Sequence, residues 1–258
     1  MPGEIEYEER DGIAEVRFDR PSMRNALNSQ MLTELKATLG RVEAASDVYT
    51  VVLTGNGSAF SAGGDIPTVQ DWQSTERSEF ELELREFQDI VNQLRTMGTP
   101  SIAAVNGPAV GAGCDIALAC DIRFVSSDAE LIEGFVTIGL VSGDGGAWLL
   151  PRLVGESLAK QYLLTGDPIT AETAVEIGLA VEQAEMVVES ARAFAKRLQD
   201  LPAAAVAHTK DLASMQSETL TDHFERATAA QWACLQDEEH REILAAQLNG
   251  RAPDFDRP

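Results

Sequence analysis

The chain has 258 residues, of which 20 are basic and 42 acidic, for a formal charge of −22. Such a field repels nucleic acid and anionic lipid surfaces, so neither is expected as a partner. Hydrophobic content is 44%, and no apolar run approaches the roughly 20 residues of a membrane helix, so composition indicates a globular rather than a membrane protein.

The first ten residues are acidic and polar, unlike a signal or transit peptide, and the expected location is cytoplasmic. Ile5 and Tyr7 alternate with acidic residues, Asp11-Gly12 turns the chain, and Ala14, Val16 and Phe18 alternate again. This pattern predicts a β-hairpin with one buried face. A helix is predicted from Ser29, with Asn28 as N-cap and Met31, Leu35, Leu39 and Val42 at helical spacing. Thr50 to Thr54 reads as a buried strand, closed by Gly55-Asn56-Gly57. The glycine-rich segment Phe60 to Ile66 (FSAGGDI) follows. A long amphipathic helix is predicted from Thr75 to Met97, with Phe80, Leu84, Phe87, Val91 and Leu94 on one face, and Pro100 beyond its end. Ser101 to Val105 is a further strand. It leads into a second glycine-rich loop, Asn106 to Gly113 (NGPAVGAG), then a helix from Cys114 to Cys120 and a strand from Ile122 to Val125. Beyond Gly143 the pattern is helical except near Ala180-Val181. The reading is α/β followed by an all-helical tail.

Cys114, Cys120 and Cys234 are odd in number and form no CxxC, so buried reduced thiols are expected rather than a disulfide framework or a metal site. His208, His223 and His240 sit on charge-rich helical stretches, where solvated surface is the default reading. Neither glycine loop carries GxxxxGK[ST], and no GxGxxG joins a strand to a helix, so P-loop and Rossmann sites lack support. Glycines do permit close backbone approach, and a helix start leaves N–H groups unpaired. Such a place favours an anion or a developing oxyanion. Tight turns alone remain the alternative for either loop.

The run Ser101 to Val125 (SIAAVNGPAVGAGCDIALACDIRFV) resembles the central signature of the crotonase (enoyl-CoA hydratase/isomerase) family. RPSMRNALN from Arg20, VVLTGNGSAFSAGGDI from Val51, GLVSGDGGAWLLPRLVG from Gly139 and LLTGDPITAETAVEIGLA from Leu163 match as well, in the family's order. The resemblance implies an α/β fold, a spiral of β-β-α units with a C-terminal helical region. It implies a core over residues 1–195 and helices over 196–258 that serve oligomerisation, as trimers or dimers of trimers. The implied substrate is an acyl-CoA thioester, with coenzyme A present as part of that substrate and no tightly bound cofactor or metal. Two backbone amides would hold the thioester oxygen, here Ala62 and Ala112. The implied CoA contacts are Arg24, Ala26, Ala62, Gly64, Asp65 and Ile66, with Arg24 facing phosphates.

Family hydratases flank a water with two glutamates. The first position is Asp115 here, and the second is Phe135. Asp144, in Gly143-Asp144-Gly145-Gly146, is a replacement candidate by resemblance to isomerases acting on unsaturated acyl-CoA, and also reads as a helix N-cap. Strand alternation would put Glu133 on the same face as Phe135, which makes Glu133 a reserve acid. Phe135 and Trp148 are expected in the substrate pocket. Asp115 and Asp144 are therefore the expected catalytic acids, for double-bond isomerisation or hydration. The alternative is a catalytically silent CoA-binding protein of the same fold. A serine hydrolase lacks support because no histidine precedes residue 208.

Overall fold

The computed structural model describes residues 4–214 and 219–255. The hairpin forms as expected: β1 (Ile5–Arg10) and β2 (Ile13–Phe18) pair antiparallel, with Ala14, Val16 and Phe18 buried. Helix α1 (Ser29–Ala44) begins where Asn28 caps it, its side chain accepting the Met31 N–H at 2.8 Å. Strand β3 (Thr50–Gly55) lies parallel to β2 and is buried along its length.

A short helix that periodicity does not show, α2 (Ile66–Asp71), follows the first glycine loop, and α3 (Arg77–Thr96) crosses next. Phe87, Val91 and Leu94 of α3 are buried in the core, as expected. Strand β4 (Ser101–Val105) pairs parallel with β3, and the second glycine loop carries β5 (Ala109–Val110) into α4 (Ala112–Ala119). Every residue of α4 is buried. Its C-terminal carbonyls are met by the buried Arg123 guanidinium, which donates to Cys120 O at 2.6 Å and to Leu179 O at 2.6 Å. A cation at a helix C-terminus complements the helix dipole.

Strand β6 (Ile122–Val125) continues the sheet beside β4. Strand β7 (Glu130–Ile132) pairs with β5 in a second sheet and ends before Glu133. A 3-10 turn, Gly134–Ile138, replaces the strand there. The period of two that would place Glu133 and Phe135 on one face therefore stops short, and the two side chains go to different places: Glu133 is 2% exposed, Phe135 half-buried.

Helices α5 (Gly146–Val154) and α6 (Glu156–Thr165) pack on α4 and the 3-10 turn; β8 (Ile169–Thr170) completes the second sheet, and α7 (Ala171–Glu176) and β9 (Glu182–Gln183) return the chain to the edge of the first. The first sheet has strand order β1-β2-β3-β4-β6-β9 and the second β5-β7-β8. The main core lies between the sheets and α1, α3, α4 and α5. Helix α8 (Val187–Gln199) covers the other face of the first sheet through Val187, Ala191 and Ala195, so the expected boundary at residue 195 falls inside this helix. The helices α9 (Ala203–Ala213), α10 (Leu220–Gln236) and α11 (Glu238–Leu248) finish the chain. Among the described residues, no helix is long and apolar enough to cross a membrane.

Candidate active site

The two glycine loops meet. The Ser61 N–H and the Phe60 N–H both reach Pro108 O, and the Val110 N–H reaches Ser61 O at 2.9 Å. The first loop is also tied to the RNAL segment. Asn25, fully buried at φ 58°, donates from its side chain to Ala59 O at 2.8 Å and Asn56 O at 3.0 Å. Ser61 Oγ donates back to Asn25 O. Asn25 thus holds the loop's shape. The αL backbone that Asn tolerates, next to an expected contact at Arg24, is the sequence signal for it.

Within this frame each backbone amide can be followed to its acceptor. The Ala62 N–H donates to Arg24 O at 2.9 Å. It is consumed, so the expectation that Ala62 supplies one of the two free amides is corrected. The next residues form a short parallel ladder with Leu27. The Leu27 N–H donates to Gly63 O at 2.7 Å, and the Asp65 N–H to Leu27 O at 2.9 Å. Alternation along an extended chain then turns the intervening Gly64 N–H away from the ladder, and it has no acceptor among the described residues. Ala112 is the first residue of α4, where helix geometry leaves the N–H unpaired. Gly63, at φ 84°, packs against this point: a Cβ there would overlap Val110 O and stand 3.5 Å from the Ala112 nitrogen. Two unpaired amides, Gly64 and Ala112, therefore share the floor of one pocket.

That pocket has a volume of about 330 Å³. Trp72, Phe80, Leu84 and Phe87 of the α2–α3 region form one wall, and Phe135, Ile138 and Leu140 the other. Phe135 lines this cavity, its ring 3.5 Å from where a Gly111 Cβ would be, and Gly111 sits at φ 52°. Ile66 lines the rim and is 66% exposed. Trp148 is elsewhere. The inward stripe of α5 is Gly146, Leu149 and Leu150, so Trp148 faces solvent with the Arg152 guanidinium 3.8 Å above its ring. Its expected pocket role is corrected accordingly.

Asp144 is the one carboxyl among the described residues that lines the pocket. It does not cap α5. The N-cap is Gly145 at φ 142°, and Ser142 Oγ accepts the Ala147 N–H at 3.0 Å. Asp144 is 6% exposed and has no ion pair among the described residues. Burial pushes its carboxyl up from 3.8 to about 7, with the nearby charge of Glu133 adding to the shift. Asp115 is fully buried and does not line the pocket. It lies deeper, beside Glu133, and burial followed by the Glu133 charge raises it well above the usual carboxylate range. Glu133, the reserve acid, is raised too, chiefly by burial.

The expected CoA contacts divide. Arg24 is exposed, at φ 51° after the short turn Pro21–Met23, and makes no ion pair among the described residues. Asp65 is buried with its carboxylate 3.2 Å from Arg20 Nη1, and Ala26 O accepts from the same guanidinium at 3.0 Å. Ala26 and Asp65 thus do not line the pocket, whereas Gly64 and Ile66 do. No group of His, Cys, Asp or Glu among the described residues is arranged to hold a metal.

Residues 8–258 match the family described as enoyl-CoA hydratase/isomerase. The chain belongs to this family. It is 34% identical to a crotonyl-CoA hydratase of Syntrophomonas wolfei, over 97% of each chain. It is 37% identical to a 4-chlorobenzoyl coenzyme A dehalogenase of an Arthrobacter species over 176 residues, which is 68% of this chain but 64% of that protein. In structure it is similar to a putative enoyl-CoA hydratase of Streptomyces coelicolor, with a TM-score of 0.94 and 32% identity over 100% of this chain and 96% of that one. The family and these neighbours bear out the expected crotonase fold with its C-terminal helices, and CoA thioesters are the substrates that the family implies.

Proposed function

We propose that this acyl-CoA-processing member of the enoyl-CoA hydratase/isomerase family moves a double bond in the acyl group of its substrate through a thioester enolate. The observation that carries this reading is the meeting of two unpaired backbone amides, Gly64 and Ala112, with one buried unpaired carboxyl, Asp144, on a single apolar pocket. The amides would donate to the thioester oxygen and gain strength as charge develops there, which lowers the barrier to removing a proton from the acyl chain. Asp144, titrating near neutrality, would take that proton and return it at the far end of the allylic system. No atoms are gained or lost. Asp115 and Glu133 would act from behind Asp144 rather than on the substrate.

Isomerisation is favoured over hydration by Phe135. It fills the wall position where family hydratases carry a second acid, so only one pocket carboxyl remains to activate a water. The walls carry no cation, and the acyl group is accordingly taken as neutral and apolar. Arg24, exposed near the Gly64 loop, would meet the nucleotide phosphates.

Subunits would associate through the C-terminal helices. Leu220, Phe224, Trp232 and Leu235 of α10 are 44–66% exposed, and an apolar face of this kind marks an association surface. A trimer or dimer of trimers is the assembly proposed, and light scattering showing a monomer at micromolar concentration contradicts it.

The experiment is a panel of 2-enoyl-, 3-enoyl- and dienoyl-CoA thioesters followed by mass spectrometry. Isomerisation leaves product mass unchanged while the double bond shifts; addition of the mass of one water instead establishes hydration. A chain that binds the thioesters and converts none is the silent binder.

A further inference from the structure

Asp115 and Glu133 are the deepest acids in the molecule that no step above uses directly. Asp115 is 0% and Glu133 2% exposed, and the donors nearest their four carboxyl oxygens, the Gly146 N–H towards Asp115 and the Cys114 and Ser142 side chains beside Glu133, stop short of full hydrogen-bond geometry. Both side chains converge on Gly146. A Cβ there would overlap Asp115 Oδ1 and Glu133 Oε1 and lie 2.5 Å from Glu133 Oε2. The two carboxyl groups thus meet in the space that a side chain at the start of α5 would take.

Two ionised carboxylates cannot share such a place. Buried like charges in contact separate their titrations by on the order of three pH units, and among the described residues no cation offsets either charge. Two neutral carboxylic acids would leave the Gly146 N–H, at the positive end of α5 and aimed at Asp115, without the anion it favours. One proton between the two groups satisfies both: the protonated oxygen donates, the ionised carboxylate accepts. We propose that Asp115 and Glu133 hold one proton between them, as a sealed acid pair that backs Asp144 and takes part in the reaction only through it. This inference rests on the reading of Asp144 as the pocket base.

The surroundings fit a pair of charge −1. Cys114 of α4 and Ser142 of the following loop lie beside Glu133, and Asp144 faces it. From α3, Val91 packs against Gly145. No salt bridge reaches Asp115, Glu133 or Asp144 among the described residues. The Gly146 amide, at the positive end of α5, points towards Asp115 and favours a single charge there. That charge in turn disfavours ionisation of Asp144 and keeps it poised between acid and base at neutral pH. Asp115 and Glu133 are therefore positioning residues.

The test has two independent arms on the full-length chain. In the first, the infrared C=O stretch of protonated carboxyl groups is recorded at pH 9, with and without ¹³C-labelled aspartate. The parent should show one protonated buried carboxyl, whose band responds to the label in part. Glu133→Gln and Asp115→Asn should each abolish it, because the new amide donates to the remaining carboxylate. A parent without the band, or a band that survives in either variant, overturns the shared proton. This arm needs no turnover, so it decides the pair even if the thioester panel yields no product. In the second arm, the acid limb of the pH–rate profile is compared. Its midpoint should lie near 7 in the parent, stay close to it in Glu133→Gln, where Asp115 keeps the charge of the pair, and fall by about one unit or more in the double variant Asp115→Asn/Glu133→Gln, which removes that charge, with KM unchanged. A purely structural role would lower the rate at every pH with the midpoint unmoved in the double variant too, and that result overturns the positioning role. If Glu133→Gln does not fold, Asp115→Asn carries the infrared arm, and the double variant is compared with Asp115→Asn in the second.

Discussion

Replacing Asp144 with Asn keeps the size of the side chain and removes its titration. The folded pKa is about 7 against 3.8 for the free group, a gap of about three units, or about 4 kcal/mol. The sign follows from the direction of the shift. The folded state holds the proton more tightly than the unfolded state, so this group favours the fold fully below pH 4 and progressively less as pH rises towards 7. Above pH 7 the parent carries the whole cost of a buried carboxylate, and Asp144→Asn carries none of it. The variant should therefore match the parent within about 1 kcal/mol near pH 4 and exceed it by about 2–4 kcal/mol at pH 8. Urea unfolding at pH 4, 5, 6, 7 and 8, with protein concentration held fixed to remove any contribution from association, measures this directly. A stability difference that is flat across the range, or that favours the parent at pH 8, refutes the reasoning. A more stable and less active variant is the signature of strain held at a functional site.

Ala112→Pro removes one floor amide at the first position of α4, where proline is tolerated. Turnover should fall about 10²–10³-fold with the far-ultraviolet circular dichroism unchanged; full activity contradicts the role of that amide. Phe135→Glu places an acid on the wall over Gly111, and mass spectrometry of the product from a 2-enoyl-CoA should then show more water addition than in the parent; no change contradicts the assignment of Phe135 as the reason isomerisation is favoured. Trp148→Ala should leave KM unchanged and cost about 0.5–1 kcal/mol by chemical denaturation through loss of the contact with Arg152; a several-fold rise in KM would return Trp148 to the pocket.

Local pattern was sufficient where the determinant is local. The Asn28 cap, the buried stripe Met31, Leu35, Leu39 and Val42, and strand β4 between Pro100 and the NGPAVGAG loop all stand where spacing put them. It failed where a distant group decides. Ala62 and Gly64 are two residues apart in one glycine loop, and which amide is free depends on Arg24 O and Leu27, 38 and 37 residues earlier in the chain. Glu133 was displaced by the end of a strand: period-two alternation carried past Ile132 into a 3-10 turn points the wrong side chain at the pocket. Asp144 read as readily as a cap because aspartate before a helix usually is one, whereas here Ser142 takes that bond two residues earlier. Trp148, expected in the substrate pocket, is turned outward by its helical spacing from Gly146, Leu149 and Leu150.

The central claim is that a proton of the acyl chain is removed at Asp144 while the Gly64 and Ala112 amides hold the resulting oxyanion. Deuterium uptake tests it without knowledge of the physiological acyl chain. A 3-enoyl-CoA with an apolar eight-carbon acyl group is incubated with the protein in D₂O, and the thioester is followed by mass spectrometry. The parent should introduce solvent deuterium into the acyl chain, and Asp144→Asn should do so about 10²–10⁴-fold more slowly. Uptake at the same rate in both, or none in the parent across 2-enoyl, 3-enoyl and dienoyl thioesters that it binds, contradicts the account.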